Sequence, residues 1–290
     1  MHVINDDLAV AGPPPLTVAV PERRAAGTRK RSRRPSRETL LIRLAQLLLL
    51  VAWLGTWQLA ATQQWLAPVL ATPPMRSWDY LVEATRSGEL WLNTEATMTA
   101  VLIAWVVAGS TGVLAGLALG LLPRVERVLE PFLDALNAMP RIALAPLFIV
   151  ILGINTSAKV ALACTLVFFM VLAGARAGVR STDSELLRLS TVLGAKKRQL
   201  FVKVLIPVAT PAIIASLRLG LIYSLLGVVG SELISARDGL GQLIANYSAT
   251  FRMEAVYAIL ILLALVAVAL NQLMAMLERK LLRWQPPVDR

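Results

Sequence analysis

Few residues in this chain are equipped for bond-making chemistry, and their spacing excludes most of it. His2 is the only histidine and Cys164 the only cysteine, so neither a histidine-based metal site nor an intrachain disulfide can form. No Gly-x-x-x-x-Gly-Lys-Ser/Thr phosphate loop occurs, and no nucleophile–base pair stands out. We therefore assign no catalytic residue, no metal ligand and no cofactor, and read the chain as no enzyme. The remaining candidates are polar groups set in apolar surroundings. Arg141, beside Pro140, either lines a pathway and meets an anionic solute, or snorkels to a membrane surface. Glu232 either gates the outer face or begins a loop. Arg218 anchors one end of its helix, and Asn137, Asn155 and Asn271 bond across helices as readily as to a solute.

The segment 176–207 carries more local information. Thr182-x-x-Glu185 reads as a capping box, which starts a helix just after Thr182. Leu186, Leu189, Val192 and Leu193 give that helix an apolar stripe, and Gly194 ends it as a C′ residue. A second helix follows from about Lys196, with Leu200, Phe201, Val204 and Leu205 on its apolar side, and Pro207 opens the next span. The product is a helix–Gly–helix loop, cationic at Lys196-Lys197-Arg198. On these grounds alone it is either a partner's dock or an amphipathic helix lying on lipid.

The elements around these residues are membrane spans. The chain is 57% hydrophobic and 16% charged, against roughly 45–50% and about 25% in soluble domains. Long uncharged stretches run over 44–75, 96–123, 142–158, 160–175 and 255–277, and several reach the ~20 residues that cross a bilayer core. The fold class is all-α, polytopic, with about six transmembrane helices.

Four regions follow: a disordered basic cytoplasmic tail over 1–38, a first span plus outer loop over 39–95, a five-span core over 96–285, and a short tail over 286–290. In the first tail, Pro13-Pro14-Pro15 is stiff and the arginines from 23 to 37 form a like-charge block. The block reads as a cytoplasmic anchor on anionic lipid rather than an export signal, since the apolar run after it exceeds a signal core. The spans are expected near 42–62, 97–122, 132–152, 157–178, 207–234 and 255–277, with outer segments at 66–95 and 235–254. Gly112, Gly116 and Gly120 share one face of the second span and call for a close helix neighbour, in the same chain or a second copy. Pro140 and Pro146 bend the third. Lys and Arg concentrate in the N-terminal tail, the 123–130 turn, the 176–206 loop and the C-terminus; only Arg76, Arg86, Lys159, Arg237 and Arg252 lie on the other side. Both termini are thus expected in the cytoplasm. The net charge of +11 belongs to this bias and not to nucleic acid.

The run Leu193-Gly194-Ala195-x-x-x-Gln199-Leu200-Phe201-x-x-Val204-x-Ile206-Pro207-x-Ala209-x-Pro211 continues through Ile213, Ala215 and Leu217-Arg218. It resembles the signature of importer permeases of the ATP-binding-cassette (ABC) superfamily, type I, in the nitrate/sulfonate/taurine branch. Further blocks resemble the same branch: Pro140-Arg141-x-Ala143-Leu144-Ala145-Pro146, Gly153-Ile154 with Lys159, Ala177-Gly178-Val179-Arg180-Ser181, Gly230-x-Glu232-x-Ile234, Gly239-Leu240-Gly241 and Glu278-Arg279-x-Leu281-Leu282-x-Trp284. The likeness spans about residues 40 to 285.

The resemblance implies a permease of the bacterial inner membrane, paired with a second copy. It also implies two ABC ATPase subunits that carry ATP and Mg, and an extracytoplasmic solute-binding protein. The 180–206 loop would be the coupling element, docking through Leu189, Leu193, Gly194, Ala195, Leu200, Phe201 and Pro207. Cargo would be a small anion such as a sulfonate, taurine or nitrate. Many members carry Glu-Ala-Ala six to four residues before the loop glycine; this chain has Arg188-Leu189-Ser190 instead. The competing reading is a secondary transporter driven by an ion gradient, which needs intramembrane acids that the deep spans almost lack.

Overall fold

The computed structural model describes residues 37–63 and 72–283, and those residues form helices joined by short turns, with no strand among them. The expectations for the basic tail up to residue 36, for the start of the segment 66–95, and for 284–290 lie outside the described residues. Helix α1 (Arg37–Thr62) contains a span over Leu40–Thr62. Residues up to Val51 form one unit and those from Ala52 a second. In the first, the run from Leu47 to Val51 is wholly apolar, as a helix in hydrocarbon requires.

In the second unit, Trp57 meets Tyr257 edge to face at 5.6 Å. Helix α2 (Pro74–Arg86) starts on a proline, whose fixed φ suits a first helical position, and buries Ser77, Tyr80 and Ala84 on one face. Helix α3 (Glu89–Leu121) follows at once. Its 33 residues run about 50 Å against a hydrocarbon core of ~30 Å. It begins at Glu89, eight residues before the expected start at 97, so the last part of the expected outer segment is its first two turns.

The third span departs most from a simple rod. Helix α4 (Pro123–Ala138) ends at Met139, a 3₁₀ turn covers Arg141–Leu144, and α5 (Ala145–Leu152) continues at a bend of 82°. Pro140 disfavours helical geometry at the residue before it, and Met139 is extended at φ −67, ψ 135. Among the described residues, five helices are long and apolar enough to cross a membrane, or six if this bent pair is one span.

Helix α6 (Thr156–Arg180) starts at Asn155, whose Oδ1 accepts from the N–H groups of Ser157 at 2.9 Å and Ala158 at 3.3 Å. Helices α7 (Ser184–Val192) and α8 (Lys197–Leu200) make the hairpin between α6 and α9 (Ile206–Ile234), the next span. The segment 235–254, expected as an outer loop, is not a plain loop. It contains α10 (Leu240–Ala249), which buries Leu240, Leu243 and Ile244, before α11 (Met253–Leu281) crosses back. Leucines facing inward at spacings of three and four give α10 its packing face, a pattern hidden in a segment bounded by turn residues.

The core lies where α3, α6 and α9 pack together around Ala100, Val101, Ala104, Ala163, Val167, Val171 and Val228. A Cβ on Gly112 would sit 2.9 Å from the Phe168 carbonyl oxygen, and one on Gly116 2.6 Å from that of Leu172. One on Gly120 would sit 2.7 Å from Val179 Cβ. The neighbour of this glycine face is therefore α6 of the same chain. Gly178 of α6 in turn meets the Ala209 carbonyl of α9, so the three backbones approach closely. The Trp105 indole donates to the Leu217 carbonyl at 2.9 Å, which satisfies its N–H between helices.

Candidate functional site

Three polar constructions stand on this scaffold. The first is the hairpin between α6 and α9. Its first helix is capped by Asp183, whose Oδ1 accepts the Glu185 N–H at 2.8 Å, and not by Thr182 as the capping-box pattern suggests. Thr182 Oγ1 is buried without a hydrogen-bond partner; its neighbour Asp183 has the extended backbone and the side-chain acceptor that a cap uses. At the other end Gly194 has φ +81. Its N–H bonds the Thr191 carbonyl, and the Ala195 N–H bonds that of Ser190, each at 3.0 Å. These are the paired bonds of a Schellman ending, which needs the left-handed conformation that glycine adopts without penalty.

Lys196 opens the second helix, its N–H donating to Gln199 Oε1 at 2.8 Å. This helix does not stop at Pro207. A single wider turn, in which the Ile206 N–H reaches the Phe201 carbonyl, leads straight into α9. The turn falls just ahead of Pro207, whose ring would otherwise meet the carbonyl four residues back. The hairpin exposes Leu189 at 61%, Val192 at 85% and Leu193 at 86%. Ala195, Leu200, Phe201 and Pro207 are half-buried behind them. A shallow groove between the two arms is lined by Ser190, Leu193, Gly194, Gln199 and Lys203. Arg188 stands exposed on the first arm.

The second construction joins the far ends of α3, α6, α9 and α10. Lys159 is 2% exposed and Glu232 1%. Lys159 Nζ lies 3.1 Å from Glu232 Oε1, 2.6 Å from Asp238 Oδ1 and 2.7 Å from the Asp238 carbonyl. The Glu232 carboxylate also accepts from Thr97 Oγ1 at 3.0 Å and from the Gly241 N–H at 2.9 Å. Thr97 in turn accepts the Leu240 N–H, and Asn93 Oδ1 accepts the Gly239 N–H at 2.8 Å. Gly239, at φ +113, has no room for a Cβ, which would stand 2.1 Å from Glu232 Oε1. Glu232 thus lies in the last turn of α9, tied to the turn that follows, and is closed off from any open surface.

Sequence reasoning passed over the network in which Lys159 and Thr97 hold Glu232, Asp238 shares Lys159, and Asn93 holds Gly239. The available signal was a lone lysine inside an apolar helix together with Gly239 and Gly241, where a run of turn residues lies against something bulky.

The third construction is the broken span. The half-buried Arg141 guanidinium lies 4.6 Å over the Phe169 ring, donates to the Leu166 carbonyl at 3.4 Å and bonds Asn137. Elsewhere, Arg218 Nε donates to Asn271 Oδ1 at 2.8 Å and its guanidinium pairs with Glu278 at 3.0 Å, tying α9 to α11. Among the described residues no cluster of His, Cys, Asp and Glu could hold a metal ion.

Residues 108–283 match the model of the family described as "Binding-protein-dependent transport system inner membrane component". The chain is 29% identical to the taurine transport system permease protein TauC of Escherichia coli (strain K12), over 83% of this chain and 89% of that one. It is 32% identical to the putative aliphatic sulfonates transport permease protein SsuC of the same organism, over 85% and 94%. Among solved structures, an amino acid ABC transporter crystallised with histidines superposes with a TM-score of 0.56 at 20% identity, covering 69% of this chain and 97% of that chain; this likeness is one of fold. The chain belongs to the binding-protein-dependent transport system inner membrane component family: it is a membrane-spanning permease of an ABC importer.

Proposed function

We propose that this permease imports a small sulfonate, such as taurine or an alkanesulfonate, as a homodimer with its termini in the cytoplasm. Two ATPase subunits dock on the hairpin between α6 and α9, and an extracytoplasmic binding protein delivers the solute. ATP and Mg belong to the ATPase subunits.

The observation that carries the reading is the exposure of Leu189, Val192 and Leu193 at the tip of a hairpin set by Gly194. A leucine at 86% exposure beside a cationic turn is poor solvent surface, and water-facing apolar patches of this kind mark protein contacts. The sulfonate assignment rests on the similarity to the taurine and aliphatic sulfonate permeases. Arg141 supports an anionic solute, since it is a fixed cation at a break in a membrane-spanning segment. Glu232, held by Lys159, closes the outer end of the pathway rather than meeting solute.

Two measurements test this. Affinity purification of the chain from its own membranes should bring down a soluble ATPase with a Walker phosphate loop, and Leu193→Asp should release it. Deletion of the chain should abolish uptake of labelled taurine or an alkanesulfonate. Undiminished sulfonate uptake, with loss of nitrate uptake instead, would overturn the cargo while leaving the docking intact.

A further inference from the structure

Helix α4 is attached to the rest of the protein in an unusual way. An amphipathic helix normally buries an apolar stripe, but the one buried residue of α4 is Glu126. Val128, Phe132 and Leu136 are exposed at 66%, 65% and 49%. The Glu126 carboxylate meets two guanidiniums of α6: Arg180 at 2.8 Å and Arg176 at 3.3 Å. Glu130, one turn on, stands 3.7 Å from Arg176. These are ion-pair distances without linear hydrogen-bond geometry at Glu126 Oε1, so the attraction is charge on charge.

The other end of α4 is held on α6 as well. Asn137 bonds Arg141, and Arg141 in turn covers Phe169 and donates to Leu166. From Glu126 to Asn137 is a rise of about 16 Å, and from Leu166 to Arg176 about 15 Å. The two helices are therefore pinned at matching spacings, at both ends through arginines and hardly at all through apolar packing. Arg180 is also the last residue of α6, directly ahead of the hairpin.

We propose that Glu126 is a latch that makes α4 a stiff arm on the root of the hairpin, so that movement of residues 181–205 is passed to α4 and reaches Arg141 at the break. Glu126 is a positioning residue in this scheme. It touches neither ATPase nor solute, and the proposal rests on the docking reading given above. The chemistry fits a latch, because two guanidiniums share the carboxylate of Glu126, which is itself only 5% exposed while Arg180 reaches it from the surface. Such a cluster is strong enough to hold the two helices in one arrangement.

The test uses the full complex with its ATPase in lipid nanodiscs. Spin labels are placed at Asp134→Cys on α4 and Arg188→Cys on α7, in a Cys164→Ala chain diluted into unlabelled chain so that one copy per complex reports. The expected result is a single narrow label separation, the same without nucleotide and after vanadate trapping. In Glu126→Gln it broadens, and taurine uptake falls at least tenfold while the ATPase stays bound and hydrolyses ATP. Glu126→Asp should restore the narrow separation, which a general loss of packing would not allow. A separation that differs between the two nucleotide states in the parent chain, or one that stays narrow in Glu126→Gln, overturns the latch. Failure of the parent chain to hold any ATPase overturns the docking reading instead, and the transmission with it.

Discussion

Lys159 and Glu232, 73 positions apart, meet at 3.1 Å with both side chains shut off from solvent. The pair fastens α6 to α9, and through Asp238, Thr97 and Gly241 it fastens the start of α10 to both. Burying two charges costs several kcal/mol each, and only their attraction together with further hydrogen bonds offsets it. The two partners are not equally dependent on one another. Without Glu232, Lys159 keeps Asp238; without Lys159, Glu232 keeps only neutral donors.

Lys159→Met should therefore destabilise the protein by about 3–5 kcal/mol, and Glu232→Gln by about 1–3 kcal/mol. The double variant should be more stable than Lys159→Met alone, because the stranded carboxylate is gone. Thermal unfolding of the purified permease in detergent reads all three. A double variant less stable than either single would show that the charges do not act as a pair.

Gly239→Ala meets two obstacles, a backbone at φ +113 that L-residues rarely adopt and a Cβ 2.1 Å from Glu232 Oε1. The backbone part costs about 1–3 kcal/mol by itself. Removing the carboxylate lifts only the steric part, so Gly239→Ala should be milder in a Glu232→Ala chain than in the parent. Equal losses in both chains, measured by the same unfolding assay, would place the whole effect in the backbone.

Gly194 also has a positive φ, +81, yet nothing lies within 4 Å of where its Cβ would be. Any substitution effect there is conformational. Gly194→Val should cost about 1–2 kcal/mol locally, deform the hairpin and cut solute uptake at least tenfold, with normal amounts of protein in the membrane. Gly194→Asn, which tolerates the left-handed region, should keep most of the uptake. Normal uptake by Gly194→Val would remove the case for this turn in coupling.

Between α2 and α10, Tyr80 and Tyr247 stack edge to face at 5.5 Å and both donate to Glu89, at 3.2 and 2.7 Å. Burial, then the neighbouring Tyr247 and Glu89, push the Tyr80 phenol above its ordinary value, and burial also raises Tyr247. A raised folded-state value means that the stability contributed by the neutral phenols is complete below the unfolded value of about 10 and is lost as pH climbs beyond it. The permease should show flat stability from these groups up to about pH 10 and a fall above it. Tyr80→Phe should flatten that alkaline fall, as followed by unfolding at pH 8 to 11.

The sequence by itself determined the class of molecule, the approximate spans and the shape of the hairpin. Each of these is local. Uncharged runs report a hydrocarbon environment, and a helix-ending glycine reports its own φ, so Gly194 is read from its neighbours alone. Where competing local signals were close, the reading slipped by a residue, as with Asp183 in place of Thr182, or stopped a helix too soon, as at Pro207, because one wide turn absorbs the proline. The tertiary structure decided what meets what. Glycines at 112, 116 and 120 announce a close neighbour without saying that it is α6 of the same chain. Lys159 reads as one outer charge among five, and Glu126 as one of several acids ahead of a span, because a charge in sequence carries no record of its partner. Their burial follows from helices packed across tens of residues, and only there do an isolated lysine and two ordinary glutamates become the fixed points of the permease.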